Sequence, residues 1–196
     1  MLLRAIACAA LLVASADAKQ PAPAELPALY AALEKSDAVV EGSASPKRTL
    51  YVFFDANCWF CHLTWKALQP YEKAGLQVRW VPVAYQKDSS APKAAAIMQA
   101  KDRLAAMREN ETKYRAKSYD GGIRPARKVP PELAAQFETN TKLMEGFDSP
   151  GTPTLVWKDA AGKIKVEIGM PRLSLLPAIT GLPAQKHDDP ELAGFR

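Results

Sequence analysis

Cysteine and histidine are scarce in this sequence, which has three cysteines and two histidines among its 196 residues. A tetrahedral zinc site needs about four ligands, usually from these two residue types. The chain also lacks internal repeats, and its composition is neither collagen-like nor that of a disordered protein. These absences disfavour a zinc-bound, repetitive or fibrous protein, and they favour one globular domain with a sizeable core.

Long apolar runs are also missing from the start of the chain, where the run over residues 5–14 is too short to span a bilayer. It follows a short basic start that ends at Arg4, and the small-x-small triplet Ala16-Asp17-Ala18 comes after it. These three parts predict a secretory signal peptide over residues 1–18, and therefore an exported protein. Cys8 lies inside the apolar run and not behind it, so we do not expect a lipid anchor.

The chain carries a modest excess of positive charge, with a formal net charge of +5. Loss of residues 1–18 would remove one base and one acid, which leaves that charge unchanged. The basic cluster Arg124, Arg127 and Lys128 has no interleaved aromatic residues and stands among glycine and proline. This pattern predicts a solvated loop, and we expect no nucleic-acid partner.

Removal of the signal peptide would leave two cysteines, Cys58 and Cys61, in a C-x-x-C pattern. A disulfide stabilises a protein most when it closes a long loop between distant segments. A bridge across two intervening residues constrains almost nothing. The pair is therefore poorly suited to a structural role and well suited to chemistry.

Hydrophobic periodicity predicts an α/β protein in which the cysteine pair lies where a strand passes into a helix. The predicted helices cover residues 25–35, 59–74, 92–107, 131–147 and 174–179, and the predicted strands cover 49–54, 76–85, 154–157 and 164–168. Residues 19–48 form an extension with a linker helix, residues 49–183 form the domain with a helical insertion at 86–147, and residues 184–196 form a polar tail that frays.

The position of the pair predicts how its two sulfurs differ. Cys58 would begin a helix, where unpaired amides and the helix dipole stabilise an anion. Such a thiolate can attack a disulfide, so Cys58 is the predicted nucleophile. Cys61, one turn deeper, would be less acidic and would resolve the mixed disulfide.

A second interpretation uses the same residues, because Cys58, Cys61 and His62 also form the C-x-x-C-H signature of c-type haem attachment. His62 would then be an axial ligand, and Met170 could be the distal one. The recurring strands disfavour this alternative, since small cytochromes are largely helical.

Several motifs together resemble the catalytic domain of the DsbC/DsbG family of bacterial periplasmic proteins, DsbG more closely. They are Tyr51-Val52-Phe53-Phe54-Asp55-x-x-Cys58-x-x-Cys61-His62 with Trp65, then Ala94–Ile97, Asn140-x-Lys142-Leu143-Met144 and Gly151-Thr152-Pro153-Thr154. Upstream, the segments 33–36 and 41–42 resemble the end of the family's linker helix.

The resemblance implies a thioredoxin fold with a helical insertion and a periplasmic thiol–disulfide oxidoreductase. It implies that Pro153 is cis beside the cysteines, and that Thr152, Pro153, Trp59 and Phe60 bind substrate. We expect no cofactor beyond a redox-active Cys58–Cys61 disulfide, and the small number of cysteines and histidines predicts no metal. The implied partners are proteins with cysteines and a membrane redox protein of the DsbD or DsbB type. The direction of the reaction, whether oxidation, reduction or isomerisation, stays open.

Two features depart from the family's pattern. Only residues 19–48 would stand where the family has an N-terminal dimerisation domain, so we expect a monomer. The dipeptide between the cysteines is Trp59-Phe60, whereas the family usually has Pro-Tyr, Pro-Phe or Gly-Tyr; Trp59 is therefore a candidate exposed aromatic of the substrate surface.

Asp55 and His62 are candidate modulators of the pair, although Asp55 is more simply a turn residue and His62 a solvated helix residue.

Overall fold

The computed structural model describes residues 25–196, so the predicted signal peptide and the first residues of the extension lie outside the described part. The helices are α1 (Leu26–Glu34), α2 (Trp59–Lys73), α3 (Ser90–Met98), α4 (Arg103–Thr112), α5 (Pro131–Gly146) and α6 (Leu176–Thr180). The strands are β1 (Val39–Gly42), β2 (Arg48–Asp55), β3 (Leu76–Val83), β4 (Thr154–Lys158) and β5 (Ile164–Ile168). Short 3-10 helices cover Ala116–Ser118, Leu173–Leu175 and Pro190–Phe195. Within this part of the chain, no helix combines the length and the apolarity needed to cross a membrane.

The strands form one mixed sheet in the order β1-β3-β2-β4-β5. Strands β2 and β3 are parallel and are joined through α2, and the remaining neighbours are antiparallel. Side chains alternate along β2, so that Leu50, Val52 and Phe54 join one core cluster and Tyr51 and Phe53 join the other. Helix α2 covers the first face, while α1 and the end of α5 cover the second. A sheet buried on both faces explains why β2 is a continuous apolar run.

The thioredoxin fold with a helical insertion, which the resemblance implied, is confirmed: α3, α4 and α5 lie between β3 and β4. The prediction of a single helix over residues 92–107 is wrong, because one helix ends at Met98 and a second begins at Arg103. The side chain of Asp102 accepts a hydrogen bond from the Ala105 amide and so caps a new helix.

Strand β1 is absent from the sequence prediction, which placed Glu41 and Gly42 at the end of a linker helix. These residues instead pair with Val78 and Gln77 of β3. Gly42 has φ +92°, and a Cβ there would lie 2.3 Å from the Leu76 carbonyl oxygen. Only glycine allows such a close approach, so Gly42 lets the end of β1 lie directly against β3.

The tail also differs from its prediction as a frayed segment. Residues 185–195 run along the outside of α2, from Tyr71 towards its first turn, where the Phe195 ring meets Phe60 edge-on. Leu192 is buried in the main core, and the Lys66 ammonium forms ion pairs with Asp189 and Glu191 of this segment. The apolar contacts of Leu192 and Phe195, together with the ion pairs, keep this polar stretch on the domain, and its polar composition conceals these contacts.

Candidate active site

The candidate site lies at the edge of the sheet where the parallel strands β2 and β3 end. Cys58 follows β2, the loop of Tyr85 and Gln86 follows β3, and Thr152 and Pro153 precede β4. Because β4 runs antiparallel to β2, its first residues reach the same edge. The topology therefore brings three segments together that are far apart in the sequence.

Cys58 is the N-cap residue of α2, as predicted. Its Sγ accepts a hydrogen bond of 3.1 Å from the Cys61 amide, while its own amide donates to the Asp55 carbonyl. Hydrogen bonding to the Cys61 side chain does most to lower the pKa of Cys58; burial opposes it, and contacts with Thr152, the Cys61 amide and Gln86 lower the pKa further. The local geometry thus favours a thiolate at Cys58.

Cys61 lies one turn deeper and has a different environment. Both cysteines are free thiols, and the exposed fraction of Cys61 is 2%. Burial raises the pKa of Cys61 well above its ordinary value, and the neighbouring Cys58 raises it further. One sulfur of the pair therefore favours the anion, and the other favours the protonated thiol.

The peptide bond between Thr152 and Pro153 is cis, in agreement with the expectation from the resemblance. The Thr152 carbonyl oxygen lies 3.5 Å from Cys58 Sγ, and Pro153 is buried. Thr152 itself is partly exposed, so its backbone borders both the reactive sulfur and the solvent.

Asp55 ends β2, and its buried carboxylate accepts hydrogen bonds from several segments of the site. One oxygen accepts from the Asn57 amide at 2.9 Å and the Ser90 hydroxyl at 2.7 Å. The other accepts from the amides of Tyr85 and Gln86 at 3.0 and 3.1 Å. Asp55 is thus a turn residue, as its position suggested, and it also holds the Tyr85–Gln86 loop against the cysteine loop.

His62 and Trp59 are placed differently from their predictions. His62 is buried and not solvated: its Nδ1 lies 3.1 Å from Glu111, and its ring stacks on Tyr114 with centroids 4.5 Å apart. Trp59 stacks on the same histidine and is only partly exposed. The exposed aromatic of the dipeptide is Phe60, which is 49% exposed. The rings of Tyr114, Trp59 and Trp65 and the buried Glu111 carboxylate therefore surround the imidazole, which is only 5% exposed.

Comparison with known proteins agrees with this geometry. The protein-family model that describes a thioredoxin-like domain matches residues 35–172 of this chain. The chain belongs to the thioredoxin-like family. Over 154 residues it is 29% identical to the thiol:disulfide interchange protein DsbG of Pseudomonas aeruginosa, a match that covers 78% of this chain and 59% of the relative. The Escherichia coli DsbG is 25% identical, with 78% and 60% covered. The chain thus spans less than two thirds of these curated relatives.

Solved structures give the same fold. A periplasmic thioredoxin-like protein from Salmonella enterica serovar Typhimurium aligns with a TM-score of 0.59 at 21% identity, covering 79% of this chain and 94% of that one. The identities to the two DsbG proteins confirm the predicted resemblance to the DsbC/DsbG family. All eight predicted site residues lie around the start of α2.

The haem alternative does not fit this thioredoxin-like domain. The Nδ1 atom of His62 is held by Glu111 at 3.1 Å, and the ring is buried and stacked on Trp59 and Tyr114, so a haem could reach His62 only if these side chains moved. The sulfur of Met170 accepts a hydrogen bond from the Thr64 hydroxyl. Among residues 25–196, no cluster of three or more potential metal ligands is present either.

The sequence did not reveal the buried side chains that hold Asn57, the residue before Cys58, in place. Lys93 is 1% exposed, and its ammonium donates to Asn57 Oδ1 at 2.8 Å, to the Gly121 carbonyl at 2.7 Å, and to Asp120. Tyr114, whose pKa burial raises, donates to the Asn57 carbonyl. The spacing of Lys93 four residues before the buried Ile97 was the available signal, because it places the lysine on the core face of α3.

Proposed function

We propose that the protein is an exported thiol–disulfide oxidoreductase in which Cys58 is the nucleophile and Cys61 the resolving cysteine. One observation carries this proposal: the sulfur of Cys58 caps α2 and accepts the Cys61 amide, while Cys61 itself is buried behind it. The pKa of Cys58 is lowered and that of Cys61 is raised, which supports the division of roles. The names of the DsbG relatives, thiol:disulfide interchange proteins, agree with it.

In the reducing direction, the Cys58 thiolate attacks one sulfur of a substrate disulfide. That disulfide breaks, and its second sulfur leaves as a thiolate that takes a proton from water. Cys61 then loses its proton and attacks Cys58 Sγ, which releases the first substrate sulfur as a thiolate. Two electrons have passed from the protein dithiol to the substrate, and a Cys58–Cys61 disulfide remains. The oxidising direction is the reverse sequence.

The Thr152–Pro153 segment is the proposed docking edge for a substrate polypeptide. A proline has no amide hydrogen, so the amide and carbonyl of Thr152 are the backbone groups that an extended segment can pair with. This edge borders Cys58 Sγ, and pairing would therefore bring a substrate disulfide to the thiolate. The exposed ring of Phe60 offers an apolar contact beside it.

The cellular setting follows from the predicted signal peptide and the relatives. We infer a periplasmic location, which agrees with the similarity to a periplasmic thioredoxin-like protein of Salmonella enterica. We further infer protein substrates with cysteines and a membrane redox partner of the DsbD or DsbB type. No cofactor is needed for the exchange itself, because the dithiol supplies both electrons. The monomeric state stays a prediction, and size-exclusion chromatography with light scattering would measure it.

A trapping experiment tests the proposed roles. Cys61→Ser retains the nucleophile and lacks the resolving thiol, so it should accumulate mixed disulfides with insulin that are visible on non-reducing gels. Cys58→Ser, the matched control, should accumulate none. Trapping by Cys58→Ser instead, or by neither variant, would contradict the assignment.

A further inference from the structure

The Tyr85 hydroxyl already forms a hydrogen bond with the Thr152 amide, which is the backbone donor of the proposed docking edge. The hydroxyl oxygen accepts the Thr152 amide hydrogen at 3.0 Å, and the Gln86 side-chain amide donates to Thr152 Oγ1 at 3.0 Å. Tyr85 is nevertheless 46% exposed, so its ring lies over the edge and not in the core. A phenolic oxygen stands here where a substrate carbonyl would have to stand.

Hydrogen bonds to a buried carboxylate hold the segment that makes this contact. The amides of Tyr85 and Gln86 both donate to the Asp55 carboxylate, which is 1% exposed. The same carboxylate holds the Asn57 amide, which precedes the nucleophile. Asp55 therefore fixes the distance between the loop that carries Tyr85 and the loop that carries Cys58.

Resting on the proposed function, we propose that Tyr85 is a selectivity residue of this site, whose hydroxyl competes with the substrate main chain for the Thr152 amide. One amide hydrogen makes one good hydrogen bond, so a substrate carbonyl must displace the phenol before it can pair. Breaking this internal contact reduces the apparent affinity for every segment that pairs at Thr152. A small disulfide without a peptide backbone does not need the amide and does not meet this barrier.

The matched variant is Tyr85→Phe, which removes the hydroxyl and keeps the ring. The reduced protein is mixed with insulin or with 5,5′-dithiobis(2-nitrobenzoic acid), so that its own dithiol supplies both electrons in a single turnover. We expect the second-order rate constant with insulin to rise about 5-fold, the factor that one net hydrogen bond of about 1 kcal/mol represents. The rate constant with the small disulfide should stay unchanged.

Tyr30→Phe is the control, because it deletes the same hydroxyl from α1, where the ring contacts Tyr51 in the second core cluster. It should change neither rate constant. If the unaltered protein reduces insulin, an unchanged or lower rate of Tyr85→Phe with insulin would overturn the proposal, and so would an equal rise with both disulfides.

A binding measurement separates this proposal from the proposed function. The carboxamidomethylated insulin B chain has no thiol or disulfide to exchange, yet its backbone can still pair at Thr152. Its Kd for Tyr85→Phe, followed by NMR titration, should be about 5-fold lower than for the unaltered protein. A tighter Kd without any turnover would uphold the role of Tyr85 and refute the exchange chemistry. Turnover with an unchanged or weaker Kd would do the opposite.

Discussion

Replacing Asp55 by alanine should destabilise the protein strongly, although Asp55 takes no part in the proposed chemistry. Its carboxylate is the shared acceptor of four donors: the amides of Asn57, Tyr85 and Gln86, and the Ser90 hydroxyl. Alanine offers none of these acceptors. The loss therefore acts on the cysteine loop and on the Tyr85–Gln86 loop together.

The magnitude follows from the surroundings of each donor. The Asn57 amide and the Ser90 hydroxyl are buried, and a buried donor left without a partner costs about 1–3 kcal/mol. The amides of Tyr85 and Gln86 are only partly buried, so water can replace much of their loss. We expect the free energy of unfolding to fall by about 3 kcal/mol, which for a chain of this size lowers the Tm by about 6–12 °C.

Urea titration followed by circular dichroism measures the change, provided that the slope of the transition is the same in both proteins. Asp188→Asn is the control, since Asp188 is exposed and its ion pair with Lys186 lies in solvent; it should change the stability by less than about 0.5 kcal/mol. If Asp55→Ala lowered the free energy of unfolding by less than about 1 kcal/mol, the carboxylate would not hold the two loops together as its hydrogen bonds indicate.

Further predictions concern other buried groups. In the reduced protein, alkylation of Cys58 by iodoacetamide, followed by mass spectrometry of its peptide, should reach half its maximal rate at a pH below the pKa of an ordinary thiol, because the folded protein stabilises the thiolate; a midpoint at or above the ordinary value would contradict this. Lys93→Met should lower the free energy of unfolding, measured by urea titration, by about 3 kcal/mol, because the buried oxygens of Asn57 and Gly121 lose the ammonium that donates to them; a change near zero would refute this supporting role of Lys93. Burial raises the pKa of Glu72 from 4.5 to about 8, so the folded protein holds a proton that the unfolded chain releases, and stability should fall as the pH rises through that window. Glu72→Gln should flatten that fall in thermal melts between pH 5 and pH 9, and an equally steep fall would exclude Glu72 as its source. Leu192→Ala should lower the free energy of unfolding by about 2–4 kcal/mol, whereas a frayed tail would show no change.

Much of the fold could be predicted because its signals are local. The apolar run of β2 and the periodicity of α2 each depend on residues within a few positions of one another. The break between α3 and α4 was missed because alanine-rich sequence remains compatible with one long helix, and only the Asp102 cap marks the new start. Strand β1 was missed because four residues show no clear period, and its partner strand decides its conformation.

For the candidate site too, the features that depend on neighbouring residues could be predicted, and those that depend on distant segments could not. The cysteine spacing and the helix start sufficed to distinguish the two sulfurs, since an amide three residues ahead always lies near an N-cap side chain. The burial of His62 and Lys93 could not be deduced, because both residues owe it to segments that arrive from elsewhere in the chain. Glu111 and Tyr114 cover the first, and Asp120 pairs with the second.

By itself, the sequence determined which residues carry the proposed chemistry: two cysteines one helical turn apart, at the point where a buried strand is followed by a helix. That information is local, because hydrogen bonding and the dipole of the first turn act over a few residues. Only the tertiary structure decided what faces Cys58. Asp55, Tyr85 and Thr152 meet because the register of β2 with β3 and β4 brings three strand ends to one edge. Contacts between residues so distant in the chain depend on the pairing of whole strands, and no local pattern encodes them.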